Sequence, residues 1–128
     1  MTEIAKYNTI QKFFRPQLSL IKDQSLTAKV IECWVDAMDQ GGWTPNEYDS
    51  MPFTLALPGK TDINLMEHTV AVTDAAYQMA MIEKNTYGNK KDYIPVNKDY
   101  LIAGGILHDV GKPVEFEKDG NYFKKSWK

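Results

Sequence analysis

LIAGGILHDVGK, Leu101–Lys112, is the stretch that decides how this chain folds. An apolar, helix-like run carries two adjacent glycines and delivers an imidazole–carboxylate pair, His108-Asp109. Gly111 suits a left-handed residue after a helix end, and Pro113 cannot continue a helix, so the helix is expected to stop here. The pair then sits at a helix C-terminus, where exposed carbonyls make the local potential negative and favour a cation. Gly104 and Gly105 each cost a helix interior about 1 kcal/mol against alanine. Two in succession imply that another element packs close to this backbone.

The chain has one other histidine, His68, and it is the natural partner of the pair. It lies in NLMEHTVAVTDAAYQMAMIEK, Asn64–Lys84, which reads as one long helix opened by a capping box, Asn64 with Glu67. Leu65, His68, Val72, Ala75, Ala76, Met79 and Ile82 recur at helical spacing, so His68 is expected to face inward on an apolar stripe. If the glycine-bearing helix packs on that stripe, His68, His108 and Asp109 converge as two nitrogens and a carboxylate. That donor set suits a divalent transition metal. Glu67 points about 100° around the helix from His68, which leaves it to orient a ligand rather than to bind the ion.

A helical histidine followed forty residues later by LHDVGKP resembles the HD superfamily of metal-dependent phosphohydrolases, with NLMEHTVAV as a second match. The similar parts run from about Gly59 to Pro113. The resemblance implies an all-α, HD-like helical bundle with metal ligands His68, His108 and Asp109. The ion would be Mn, Fe, Co, Ni, Zn or Mg. Asp109 would take part in catalysis and can bridge two ions when two are bound. The implied reaction is cleavage of a phosphate ester, in a nucleotide or another small phosphorylated compound, by metal-activated water. Lys112, three residues beyond Asp109, would pair with the substrate phosphate or stabilise the transition state. Family members usually close the site with an aspartate on a later helix. This chain ends before such a helix, and Asp119 is better placed as the first residue of a hairpin turn. The expectation is therefore a short or C-terminally truncated member whose uncovered apolar face invites self-association or a partner. The alternatives are a non-catalytic module that holds metal or ligand, and a helical partner-binding domain without metal.

The remainder frames this site. At 128 residues the chain is expected to form one domain, 1–128, of about five helices plus the hairpin. Hydrophobic content of 43% and charged content of 25% are those of an ordinary globular protein, which argues against disorder. A net charge of -2 gives no footprint for nucleic acid or an anionic membrane. The N-terminus has no signal-peptide core and no run is long enough to span a membrane, so the cytoplasm is the default location.

Thr2–Phe14 reads as an amphipathic helix on Ile4, Tyr7, Ile10, Phe13 and Phe14, ending or kinking at Pro16. Ser25 can cap a second helix that buries Leu26, Val30, Ile31, Trp34, Val35 and Met38 and stops at Gly41-Gly42. Cys33 shares a stripe with Leu26, Val30 and Ala37 and is expected to be a buried thiol. Trp43–Asp62 is irregular, with Phe53–Leu57 as a tucked-in extended segment; a long connection beside a ligand helix is a candidate binding loop. Asn85–Asn97 is a second loop, whose Asn97 can cap the helix that leads to His108. Val114, Phe116, Asp119-Gly120, Tyr122 and Phe123 read as a β-hairpin.

Overall fold

Side-chain caps set where the long helices begin. The computed structural model describes residues 2–56, 61–120 and 122–125. The Thr2 hydroxyl accepts from the Ala5 amide and opens α1 (Glu3–Phe13). The chain then turns into the short α2 (Arg15–Leu18), with Pro16 in its first turn, where a missing N–H costs nothing. α3 (Gln24–Gly41) is capped by Asp23 rather than Ser25: the Asp23 carboxylate accepts from the Ser25 and Leu26 amides. The Ser25 hydroxyl, with help from those amides, holds the Asp23 carboxyl below the usual carboxylate range. Gly42, at φ 79°, ends this helix in the left-handed conformation.

A single 3-10 turn, Pro45–Glu47, interrupts the long connection before α4 (Leu65–Tyr87). Both bonds of the expected capping box are present. Asn64 Oδ1 accepts from the Glu67 amide at 2.8 Å, and Glu67 Oε1 from the Asn64 amide at 3.0 Å. Glu67 is thereby committed to the helix start. Asn97 caps α5 (Lys98–Leu107) through the Tyr100 amide, as expected. After α5 come the short α6 (Lys112–Glu115) and a hairpin of β1 (Phe116–Asp119) and β2 (Tyr122–Lys125). The strands pair antiparallel from Phe116↔Lys125 to Asp119↔Tyr122, and Gly120 takes φ 65° in the turn. The mostly helical architecture with a terminal hairpin is the one the sequence implies.

One apolar cluster joins these elements. Ile10 and Phe14 meet Val30, Ile31, Trp34 and Met38 of α3, Tyr48 and Met51 of the connection, Leu65 and Met66 of α4, and Ile102 and Ile106 of α5. Polar staples fix the angles between helices. Asp99, in the first turn of α5, accepts from the Lys22 and Asp23 amides at 2.9 and 3.0 Å, which ties the start of α3 to the start of α5. Gln17 donates to Asp74 and links α2 to α4.

Several expectations are corrected. Ile4 is 74% exposed and lies off the core, unlike Ile10 and Phe14. Cys33 is exposed: it sits about 120° around α3 from the centre of the arc defined by Val30, Trp34, Val35 and Met38. On α4 the buried positions are Leu65, Met66, Thr69 and Thr73, while Met79 and Ile82 are 65% and 62% exposed. The stripe is rotated because the two threonines bury without penalty. Their hydroxyls donate to the Leu65 and Thr69 carbonyls four residues back, at 2.8 and 2.7 Å. Gly111 has an ordinary φ of -76°, and Pro113 sits in the first turn of α6, so the chain re-enters a helical turn directly after the His-Asp pair. Leu57 of the extended segment, with Pro58 and Gly59, lies outside the described residues. No helix among the described residues is long and apolar enough to cross a membrane.

Candidate metal centre

The two histidine-bearing segments meet because α5 can approach α4 very closely. A Cβ added to Gly105 would stand 2.8 Å from Thr73 Oγ1 and 3.0 Å from Thr73 Cα. Gly105 is the glycine that permits the contact; Gly104 faces open space and is exposed. His68 lies about 110° around α4 from the centre of the buried arc, at the rim of this interface. It meets the end of α5 there and stays 28% exposed.

Two imidazoles and one carboxylate converge at that rim. His68 Nε2 lies 3.3 Å from Asp109 Oδ2, His108 Nε2 lies 3.1 Å from the same oxygen, and the two nitrogens are 3.5 Å apart. The three atoms form a nearly equilateral triangle whose vertices are about 1.9 Å from its centre. That spacing is compatible with the ordinary bond length of about 2.0–2.2 Å from a metal ion to histidine nitrogen or carboxylate oxygen, so His68, His108 and Asp109 would together hold a divalent ion. The His108 side chain is 31% exposed and that of Asp109 21%, so the triangle is open to water on one side.

The His108 ring has a defined tautomer. Its Nδ1 is 2.7 Å from the Gly105 carbonyl, which can only accept, so Nδ1 carries the proton. The neutral ring therefore turns the Nε2 lone pair toward His68 and Asp109. Three electron-rich atoms within 3.5 Å of one another repel unless a proton or a cation lies between them. The donor set and spacing thus fit a divalent ion, and these are the described residues that could hold one.

Tryptophans latch the turn that carries His108 and Asp109, through partners about seventy residues apart that no local sequence pattern encodes. Trp34 Nε1 donates to the Ile106 carbonyl and Trp43 Nε1 to the Pro113 carbonyl, each at 2.8 Å. The Trp34 bond, with His108 on the Gly105 carbonyl and the Val110 amide on the Leu107 carbonyl, satisfies carbonyls that the end of α5 would otherwise leave free. Gly41 makes the second latch possible, since a Cβ there would collide with both the Trp43 ring and the Pro113 carbonyl. Trp34→Phe keeps a large ring in the core but strips the N–H from a buried carbonyl. The expected loss is about 1 to 2 kcal/mol, read as a lower urea midpoint with unchanged slope. An unchanged midpoint would mean the latch contributes nothing.

Phe53, from the tucked-in segment, is a second unforeseen neighbour: its ring stacks on His68 at 4.8 Å between centroids. Lys112 makes a different contact. Its ammonium lies over the Phe116 ring, 5.3 Å from the centroid, and no ion pair joins it to Asp109 among the described residues.

Residues 65–127 match the model of the HD domain family. Over 111 residues, 80% of this chain, the sequence is 32% identical to dihydroneopterin 2',3'-cyclic phosphate phosphodiesterase of Methanocaldococcus jannaschii. The chain spans 41% of that protein's length. No solved structure matches it. On the family match over the segment that carries both histidines and the aspartate, residues 65–127 belong to the HD-domain family.

Proposed function

We propose that the chain is a metal-dependent phosphohydrolase that holds a divalent ion on His68, His108 and Asp109 and cleaves a phosphate ester of a small compound. The observation that carries this reading is the triangle of Nε2, Nε2 and Oδ2 atoms 3.1–3.5 Å apart. The likeness to a cyclic-phosphate phosphodiesterase supports a phosphodiester, with a cyclic 2',3'-phosphate as the first substrate class to test. The single core running from Ile10 to Phe116 supports treating the chain as one domain.

The protein's own contributions are orientation and charge. The Gly105 carbonyl holds His108 in the tautomer that leaves Nε2 free to bind. Asp109 supplies the negative charge that offsets part of an ion's charge. A bound divalent ion supplies Lewis acidity toward the phosphoryl oxygens and lowers the pKa of water to near neutrality. Two nitrogens and a carboxylate suit manganese, iron, cobalt, nickel or zinc better than magnesium, which prefers oxygen donors. Three protein donors on an open rim also leave positions for substrate and water.

The test begins with metal analysis of the purified protein. It continues with hydrolysis of 2',3'-cyclic nucleotides, dihydroneopterin cyclic phosphate, bis(p-nitrophenyl) phosphate and p-nitrophenyl phosphate, with and without added manganese. Metal-stimulated hydrolysis of the diesters is expected, and failure to bind metal would sink the reading. Bound metal without turnover would support a second reading, a non-catalytic metal-holding module. The Lys112 ammonium lies over the Phe116 ring and makes no ion pair with Asp109 among the described residues, which favours that second reading.

A further inference from the structure

We infer that Phe53 is a positioning residue for the His68 imidazole, an inference that rests on His68 being a ligand of the ion. The second torsion of a histidine side chain is soft, so an imidazole on a half-exposed rim needs a neighbour to fix its plane. Among the described residues, the rings against His68 are His108, tilted by 55°, and Phe53, stacked with 30° between planes. The Phe53 contact lies on the ring face and leaves Nε2 directed at Asp109 Oδ2.

The Phe53 main chain is itself held in place. Its amide donates to the Ile63 carbonyl at 3.2 Å, and Pro52 and Asn64 form an antiparallel bridge. The Leu65 amide donates to the Met51 carbonyl at 2.8 Å, and the Met51 side chain is fully buried. These bonds clamp the neck of the connection onto the first residues of α4, where Asn64 is also the cap. Phe53 and His68 therefore ride on one rigid neck, and the ring keeps its place against the imidazole. An imidazole that donates its lone pair to a cation becomes electron-poor, and the negative face of a phenyl ring then favours it more. The stack is thus strongest in the metal-bound state.

The test uses Phe53→Leu, which keeps apolar volume but removes the π face, and Phe53→Tyr, which restores it. Apo protein is titrated with Co(II), following its visible ligand-field bands and competition with a chromophoric chelator, while apo thermal unfolding is recorded separately. Phe53→Leu is expected to weaken Co(II) binding about tenfold, as loss of a ligand-orienting partner does, with altered bands and an apo Tm near that of the parent. Phe53→Tyr is expected within about twofold of the parent on the same grounds. Parent-like affinity in Phe53→Leu would overturn the inference. So would a loss of affinity matched in Phe53→Tyr, or a fall in apo Tm large enough to account for it, since those mark packing alone. Should the parent itself bind no Co(II), the ligand reading fails first, and the parent titration reveals this before any variant is made.

Discussion

His108→Ala is expected to purify without metal and to hydrolyse phosphodiesters at the buffer rate. Loss of a group that only orients a ligand costs about 10- to 100-fold in metal affinity. Removing a ligand outright should therefore exceed a hundredfold. The alanine also releases the Gly105 carbonyl and leaves Asp109 and His68 with no third donor. Fold and site can be separated in this experiment. His108 is 31% exposed at the end of α5, so helical circular dichroism and apo Tm should stay close to the parent. The measurement is metal per chain by mass spectrometry after gel filtration, beside the rate. A variant that retains the ion as the parent does would show that the ligand set is wrong.

The neighbouring glycines should respond in opposite directions. Gly105→Val places a branched side chain where a single Cβ already meets Thr73 Oγ1 at 2.8 Å and Thr73 Cα at 3.0 Å. Thr73 cannot turn aside without giving up its 2.7 Å bond to the Thr69 carbonyl, so α5 must move away from α4. Overpacking of this kind costs about 3 kcal/mol at the upper end of its usual range. The same shift separates His108 from His68, so metal affinity should fall together with stability. Gly104→Ala meets nothing within 4 Å and gains helix propensity, worth about 1 kcal/mol in its favour. Urea midpoints moving down for the first and up for the second are the expected result. A Gly105→Val protein as stable as the parent would contradict the close approach of the two helices.

Features of this fold are legible in the sequence where their signals are local. The capping box of Asn64 and Glu67 and the cap at Asn97 are made by residues three apart, so sequence alone contains them. Convergence of His68 with His108-Asp109 was legible because the chain holds only two histidines and the adjacent glycines announced a close contact. Only one of those glycines makes it, which depends on the facing residue Thr73 and not on the helix itself. The α4 stripe differs from the one apolar spacing predicts because threonine counts as polar in a sequence pattern, whereas here its hydroxyls bond to their own helix. Cys33 is exposed although it is spaced from Leu26 and Val30 as a stripe residue, because those two mark one edge of the buried arc and not its centre. The latches from Trp34 and Trp43 and the stack of Phe53 join residues far apart in sequence, and no local pattern encodes such partners.

The two indole bonds also determine how the turn carrying His108 and Asp109 moves. Trp34 is fully buried and Trp43 nearly so, and they grip carbonyls on either side of His108 and Asp109. A turn held in this way opens only when the core around it opens. Amide hydrogen exchange through Val110 and Lys112 should therefore track global unfolding. Long residence of an ion at the triangle would then be limited by the lifetime of the whole domain rather than by fluctuation of a surface turn.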